Sequence, residues 1–478
     1  MPLIFPSNTL SAGGFSVDNS CRFNRADSPD LQKTNASSGD RKTWTFSAWI
    51  KRSNLTGVTM NFFSGGTDGD NSNYTRIQFN TGDNIYIAHV DSSSTTTEKQ
   101  TSAAFRDPGA WYHVLWVLDT TQGSAADREK LYVNGTEVTS FSTNTTPAQD
   151  YETTMNEDVE MFVGNQLGTW EFMGCYFAEV CFIGGSALTP SSFGEFDEDS
   201  PTVFRPIDVS GLTFGTNGFY LDFEDSTNLG NDANGGTDFT ATNLDATDQC
   251  TDSPTNNFAT LNPLQSAAGG GITYTFSDGN TTLGCDGSVG NNSTLGVASG
   301  KWYCEGKLIA YTNSGGGPDV YQIGIRSLNP GTNLGLSGSG GEGYVYQGTG
   351  DKDSEGTDAS YGDTYTTDDI IGVAVDLDNL KLYFSKNGTW QDSGDPESGA
   401  TGTGAAYTIT APASTSEGFY FVACGHQDNY AKWSLNFGNP PYSITSGNAD
   451  GNGYGNFEYA VPSGYLALCT KNLGSDGG

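Results

Sequence analysis

The sequence predicts an all-β protein built from two β-sandwich, jelly-roll-like domains joined by an extended loop-rich connector. Three observations predict it. Apolar side chains recur with a period of two in many short segments, the signature of strands with a buried face. Turn-forming residues are abundant, with 64 glycines among 478 residues. Helical periodicity is nearly absent, while 35% hydrophobic and 12% aromatic residues leave ample material for cores and argue against disorder.

The first sandwich is expected over residues 1–190. "TWTFSAWIK" alternates Trp44, Phe46, Ala48 and Ile50 against Thr45, Ser47, Trp49 and Lys51. "WYHVLWVLD" is apolar on both faces from Trp111 to Leu118, as a central strand would be, and "GCYFAEVCFIGG" at 174–185 is another two-sided strand. "KLYVNGTEV" places Asn134-Gly135 between apolar arms, the strongest short-range hairpin signal. One helical turn is expected at "TPSSFGEF", with Thr189 as cap and Pro190 in the first position.

Residues 191–270 change texture to Gly, Asn, Asp, Thr and Pro, and predict a loop-rich connector. It lies along the domains, because Phe219, Tyr220, Leu221, Phe223, Phe239 and Phe258 need somewhere to pack. The second sandwich is expected over 271–440. Its clearest element is a hairpin with Ile371, Val373, Val375 and Leu377 on one arm and Leu380, Leu382 and Phe384 on the other, turning at Asp378-Asn379. The Gly-rich runs at 314–319 and 338–343 read as turns or loops. A tail over 441–478 holds one strand, "YLALCT", and a polar end.

Several function classes are disfavoured. With 21 Lys+Arg against 56 Asp+Glu, the net charge of −35 repels phosphate backbones and anionic lipid, so neither nucleic acid nor membrane insertion is expected. The first residues lack the basic start of a secretory signal, which suggests synthesis in a cytoplasm. Eight cysteines without a CxxC pair and three histidines point away from zinc. Cys175 and Cys181 on one strand would stand roughly 20 Å apart, beyond disulfide reach. The cysteines read as small buried hydrophobes.

No catalytic residues are expected. "EFDED", Glu195 to Asp199, reads as a solvated acidic turn. His89, His113 and His426, the last near Cys424, show no converging third group of the kind a nucleophilic pair requires. No cofactor is certain. Calcium is the metal the loops suit, because Asp68 and Asp70 in "TDGDNSNY" place hard oxygens at alternate positions, and the loops at 231–238 and 448–453 do so more weakly. Trp170 and Trp390 beside turns, and Tyr344 and Tyr346 in a Gly-rich loop, are the candidate ligand-binding aromatics, since the apolar face of a sugar stacks on such rings.

The order "WTFSAWIK", "WYHVLWVLD", "KLYVNGTEV", "MFVGN", "FAEVCFIGGSALT" resembles a laminin-G-like, concanavalin-A-type jelly roll. Gly300 to Glu305, Ile323 to Ile325, Gly362 to Gly388 and Asn436 to Gly438 resemble the landmarks of a SPRY domain. The first resemblance allows a metal at the sandwich rim, and the second implies partner binding by rim loops. End to end, the wording is similar to marine bacteriophage tail-fibre and virion proteins. That implies a virion protein, most simply a tail fibre or receptor-binding adhesin. It would bind host surface glycan or protein, contact other tail proteins and act as a homo-oligomer, a trimer by analogy with fibres. The alternatives are a tail-associated polysaccharide-degrading glycosidase and a purely structural decoration or tail component.

Overall fold

The computed structural model describes residues 14–265, 273–286, 289–312, 321–327, 342–354, 356–426 and 430–476. The Gly-rich run at 314–319 and most of the run at 338–343 lie outside them. The chain divides into two compact units between Asn256 and Asn257.

In the N-terminal unit two eight-stranded antiparallel sheets stack face to face. One is centred on the strands Trp111–Asp119, Thr43–Arg52, Cys175–Gly184 and Ser20–Phe23. The other is centred on Asn84–Asp91, Tyr74–Phe79, Met60–Gly66 and Glu160–Val163. The period of two does what it predicts. Trp44, Phe46, Ala48 and Ile50 enter the core, where Phe46 stacks on Phe63 of the facing sheet at 4.4 Å. Asn134 and Gly135 take left-handed angles (φ 48° and 74°) and join Glu129–Val133 to Thr136–Glu137 in a two-residue turn.

The strand Cys175–Gly184 contains a bulge. Its pairing with Thr43–Arg52 slips between Ala178 and Cys181, and Glu179 takes φ 50°. The extra residue switches the parity of the strand, so that Cys175 and Phe177 point into the core before it and Val180 and Phe182 after it. The opposite face is buried too. Leu115, Val117, Cys181 and Ile183 are covered by Phe193, Val209, Phe214 and Tyr220, while Phe219, Leu221, Phe223 and Phe239 reach the main core. Residues 191–256, the larger part of the stretch 191–270 read as connector, thus form an additional layer of the N-terminal unit and supply the strands Phe219–Leu221, Thr240–Thr242 and Gln249–Cys250. The turn at Pro190–Ser192 is a short 3-10 helix that Thr189 does not cap with its side chain.

The C-terminal unit repeats the plan with a nine-stranded and a six-stranded sheet around one core. Tyr346 of one sheet stacks on Phe384 of the other at 5.5 Å. The expected hairpin is Ile370–Asp376 with Lys381–Lys386. Its turn is longer than Asp378-Asn379 alone. Asp376 accepts Asn379 N–H (2.9 Å), and the left-handed residue is Leu380, at φ 58°. The expected tail does not trail. Phe457, Tyr465, Ala467 and Cys469 cover the outer face of the larger sheet at Tyr303, Ala374 and Tyr383. Among its described residues only Leu466–Ala467 is strand, parallel to Trp302 and Tyr303, and Thr470–Asp476 is a helix.

Glu305, buried within the SPRY-like landmark, holds that covering segment. Its carboxylate accepts the N–H groups of Glu458 (3.0 Å) and Tyr459 (2.8 Å) and the hydroxyl of Tyr303 (3.1 Å). Gly324, the centre of Ile-Gly-Ile, lies where a Cβ would run into the carbonyl oxygen of Tyr344 on the neighbouring strand. Gly324→Ala is therefore expected to destabilise the C-terminal unit by about 3 kcal/mol through overpacking. Chemical denaturation followed by tryptophan fluorescence reads this, and an unchanged unfolding midpoint would refute the close approach.

Candidate functional site

Trp170 is the exposed tryptophan of the described residues, at 38% exposure. It stands at one rim of the N-terminal sandwich, on a loop that the sequence makes rigid. Gln166 and Trp170 exchange backbone hydrogen bonds (2.8 and 3.1 Å), with Leu167 and Gly168 at the tip in left-handed angles. Leu167 is fully buried against Tyr74, Val90 and Phe162 and pins the loop down. Gln166 Nε2 donates to Asn71 Oδ1 (2.8 Å) and Gly69 N donates to Leu167 O (3.2 Å), which joins this loop to the loop at 67–73. Arg76 pairs with Glu171 (3.0 Å) and donates to Gln166 Oε1. The rim therefore offers an aromatic plane on a braced loop that also carries donors and acceptors, an arrangement suited to stacking a sugar ring.

The structure brings Asp68 to the same rim. A Cβ on Gly168 would come within 2.5 Å of Asp68 Oδ1. Asp30 is buried nearby, and burial, reinforced by the charge of Asp68, pushes its carboxyl up to about 6. Asp70 turns away. Its Oδ1 accepts both the N–H (2.9 Å) and the hydroxyl (2.6 Å) of Ser72, so it closes its own turn. No group of three acidic, histidine or cysteine side chains that could hold a metal gathers among the described residues. The aspartates of the two weaker calcium loops are engaged by backbone and side-chain donors in and beyond their own turns. Asp232 Oδ1 accepts from Tyr220 N and Asn234 N, and Asp450 accepts from Asn452, Tyr454, Ala467 and Asn472.

Two expected ligand contacts are corrected. Tyr344 and Tyr346 lie on the strand Gly343–Gln347, with their rings in the core at 7% and 0% exposure, so neither can present a face to a ligand. The alternation of Tyr344 and Tyr346 with Val345 was a strand signal that the flanking glycines obscured. Trp390 lies in the C-terminal unit, on the short strand Thr389–Trp390, half-buried against the covering segment.

Groups with catalytic chemistry are placed structurally. Ser47 Oγ and His113 Nε2 are 2.8 Å apart, the spacing of a nucleophile and its base. Both are shut from solvent, His113 Nδ1 has no orienting partner, and burial pushes the imidazole down to about 3. Periodicity could not have shown this pair, since its members are 66 residues apart. Burial holds the Cys424 thiol well above its usual range. In "EFDED", Glu195 and Asp197 share Arg205 (2.8 and 3.4 Å), so the stretch is one arm of a small ion-paired hairpin, Gly194–Phe196 with Phe204–Pro206.

Comparison with known proteins adds the following. Residues 26–190 match the Laminin_G_3 family model, described as the concanavalin A-like lectin/glucanases superfamily, and residues 310–439 match the SPRY domain. The chain thus carries one domain of each kind. Among curated proteins, the ATP-dependent RNA helicase DDX1 of Xenopus laevis is 33% identical over 99 residues, which are 21% of this chain and 12% of the helicase. The chain therefore spans only a small part of that relative's length. Solved structures with similarity include a native heptameric SAP-like pentraxin from Limulus polyphemus (18% identity, 36% of this chain and 78% of that one, TM-score 0.27). The SPRY domain of human HERC1 is similar at 14% identity (37% and 96%, TM-score 0.27). The CBM40 of Ruminococcus gnavus IT-sialidase bound to α2,3-sialyllactose is similar at 16% identity (31% and 89%, TM-score 0.23).

Glu179, in the bulge, has a strongly displaced acidity. Burial pushes its carboxyl up to about 8, with Asp222, Glu224 and Asp208 adding to the rise and the Tyr220 hydroxyl (2.7 Å) opposing it. The folded state therefore holds the neutral acid. Its contribution to stability is present below about pH 4.5 and is lost as pH rises towards 8. Glu179→Gln is expected to be the more stable protein at pH 8, by about 4 kcal/mol, and to match the native chain at pH 4. Thermal melts of both across that interval check this, and parallel curves would contradict it.

Proposed function

We propose that the chain is a non-catalytic, carbohydrate-recognising adhesion protein, and that its working context is a bacteriophage virion. There it would serve as a tail fibre or receptor-binding protein, acting as a homotrimer on a host surface glycan. The observation that carries the reading is Trp170, an exposed indole on a hydrogen-bonded rim loop of a lectin-type domain. A large ring left in water has no use in the sandwich core, and preorganisation by Leu167 and Gln166 lowers the entropy lost when a ligand docks. The excess of acidic residues favours neutral over anionic glycans. Weak single sites would gain strength from several copies on one particle.

The full chain, applied to an array of bacterial surface glycans, is expected to retain neutral polysaccharides. Trp170→Ala is expected to reduce that retention about tenfold or more, with an unchanged melting temperature. Equal retention by the variant would move recognition away from this rim. Release of reducing sugar from a bound glycan would replace the adhesin with a glycosidase.

A further inference from the structure

We propose that the C-terminal unit carries a site for an organic ammonium group, in the cleft lined by Trp390, Asp395, Pro396, Glu397, Val461 and Pro462. The site is independent of Trp170 and differs in its chemistry. The cleft has a volume of about 330 Å³, at the lower end of the roughly 300–1,000 Å³ of small-molecule sites.

Its walls are built by local rules. Asn387 and Gly388 make a tight left-handed turn (φ 48° and 78°) that sends Trp390 back to pair with Ser385. Tyr303 meets the Trp390 ring edge-on at 6.5 Å, which fixes the indole in place. Asp395 caps the short helix Pro396–Thr401, its Oδ1 accepting from Glu397 N (3.0 Å). Glu397 Oε1 accepts from Ser463 N (3.0 Å) and so joins this helix to the covering segment that supplies Val461 and Pro462.

Each carboxylate thereby has one oxygen engaged, and neither is paired with a cation among the described residues. Among the described residues, the lysine ion pairs of this unit are Lys301 with Asp376, Lys307 with Asp368 and Lys386 with Asp369. Lys381 donates instead to Thr408 Oγ1 (2.7 Å). The lining offers one side-chain donor, the indole N–H, against two carboxylates. A sugar needs donors as well as acceptors, and an anion would be repelled. An alkylammonium satisfies every element at once. Its charge faces the carboxylates, its N–H groups find acceptors, and its methylenes lie on the indole face and the prolines. The net charge of −35 raises the local concentration of such cations. Two sources share this chemistry, a lysine side chain of a protein and a free amine.

Calorimetric titration of the full chain at low salt, with three probes, tests the site. Nα-acetyl-lysine amide or cadaverine is expected to bind saturably, and Nα,Nε-diacetyl-lysine amide, which lacks the charge, about tenfold or more weakly. Preference for the lysine derivative assigns the source to a protein side chain, and preference for cadaverine to a free amine. The double variant Asp395→Asn, Glu397→Gln keeps both structural acceptors and is expected to lose the binding with its melting temperature unchanged. Equal binding of the diacetyl probe, unchanged binding by that variant, or no saturable binding would each overturn the proposal. None of these outcomes bears on glycan retention at Trp170.

Discussion

A strand in the middle of these sandwiches has two apolar faces, and a stack of two sheets covers only one of them. The rest of the structure follows from that constraint. Leaving Leu115, Val117, Cys181 and Ile183 in water would forfeit about 25 cal/mol for each Å² of apolar surface and invite aggregation. The N-terminal unit covers them with residues 191–256, and the C-terminal unit covers Tyr303, Ala374 and Tyr383 with the segment ending at Cys469. Both coverings are irregular backbone, and irregular backbone under burial needs partners for its N–H and C=O groups.

Buried carboxylates supply part of that anchoring. Glu305 accepts the amides of Glu458 and Tyr459 in the second covering segment, and Asp252, on the first, ties its segment to the sheet through the side chains of Lys51 (Nζ, 2.5 Å) and Trp111 (Nε1, 3.0 Å). Removing one member of such a set would leave the other dehydrated and unpaired, which is why these few polar residues matter more to stability than the many exposed acids. The same irregularity shapes the cleft beside Trp390. A segment that is neither strand nor helix leaves clefts where it meets the sheet, and rim loops end where pairing stops.

The strands were legible in the sequence because alternation is local. Trp44 to Ile50 and Ile371 to Val375 declare their buried face by position alone. The two-sided runs at 111–118 and 174–185 announced a burial whose covering they could not identify. Glu179 was not legible as a bulge, since the residues on either side of it are apolar on both faces and an extra residue there shifts no alternation that could be read. At the candidate site, Trp170 was legible from its turn and its neighbours. Asp30 was not, because it joins Asp68 only through the fold. Tyr344 and Tyr346 misled because glycines suggested a loop where a strand runs.

The pairing of Ser20–Phe23 with Gln249–Cys250 has a practical corollary. The family-model match ends at residue 190, yet a fragment excised there would lose that edge partner, the strand Phe219–Leu221 and the residues that shield Leu115 and Cys181. The unit of inheritance recognised by comparison is thus smaller than the unit that folds. A soluble fragment of this half must extend to Asn256.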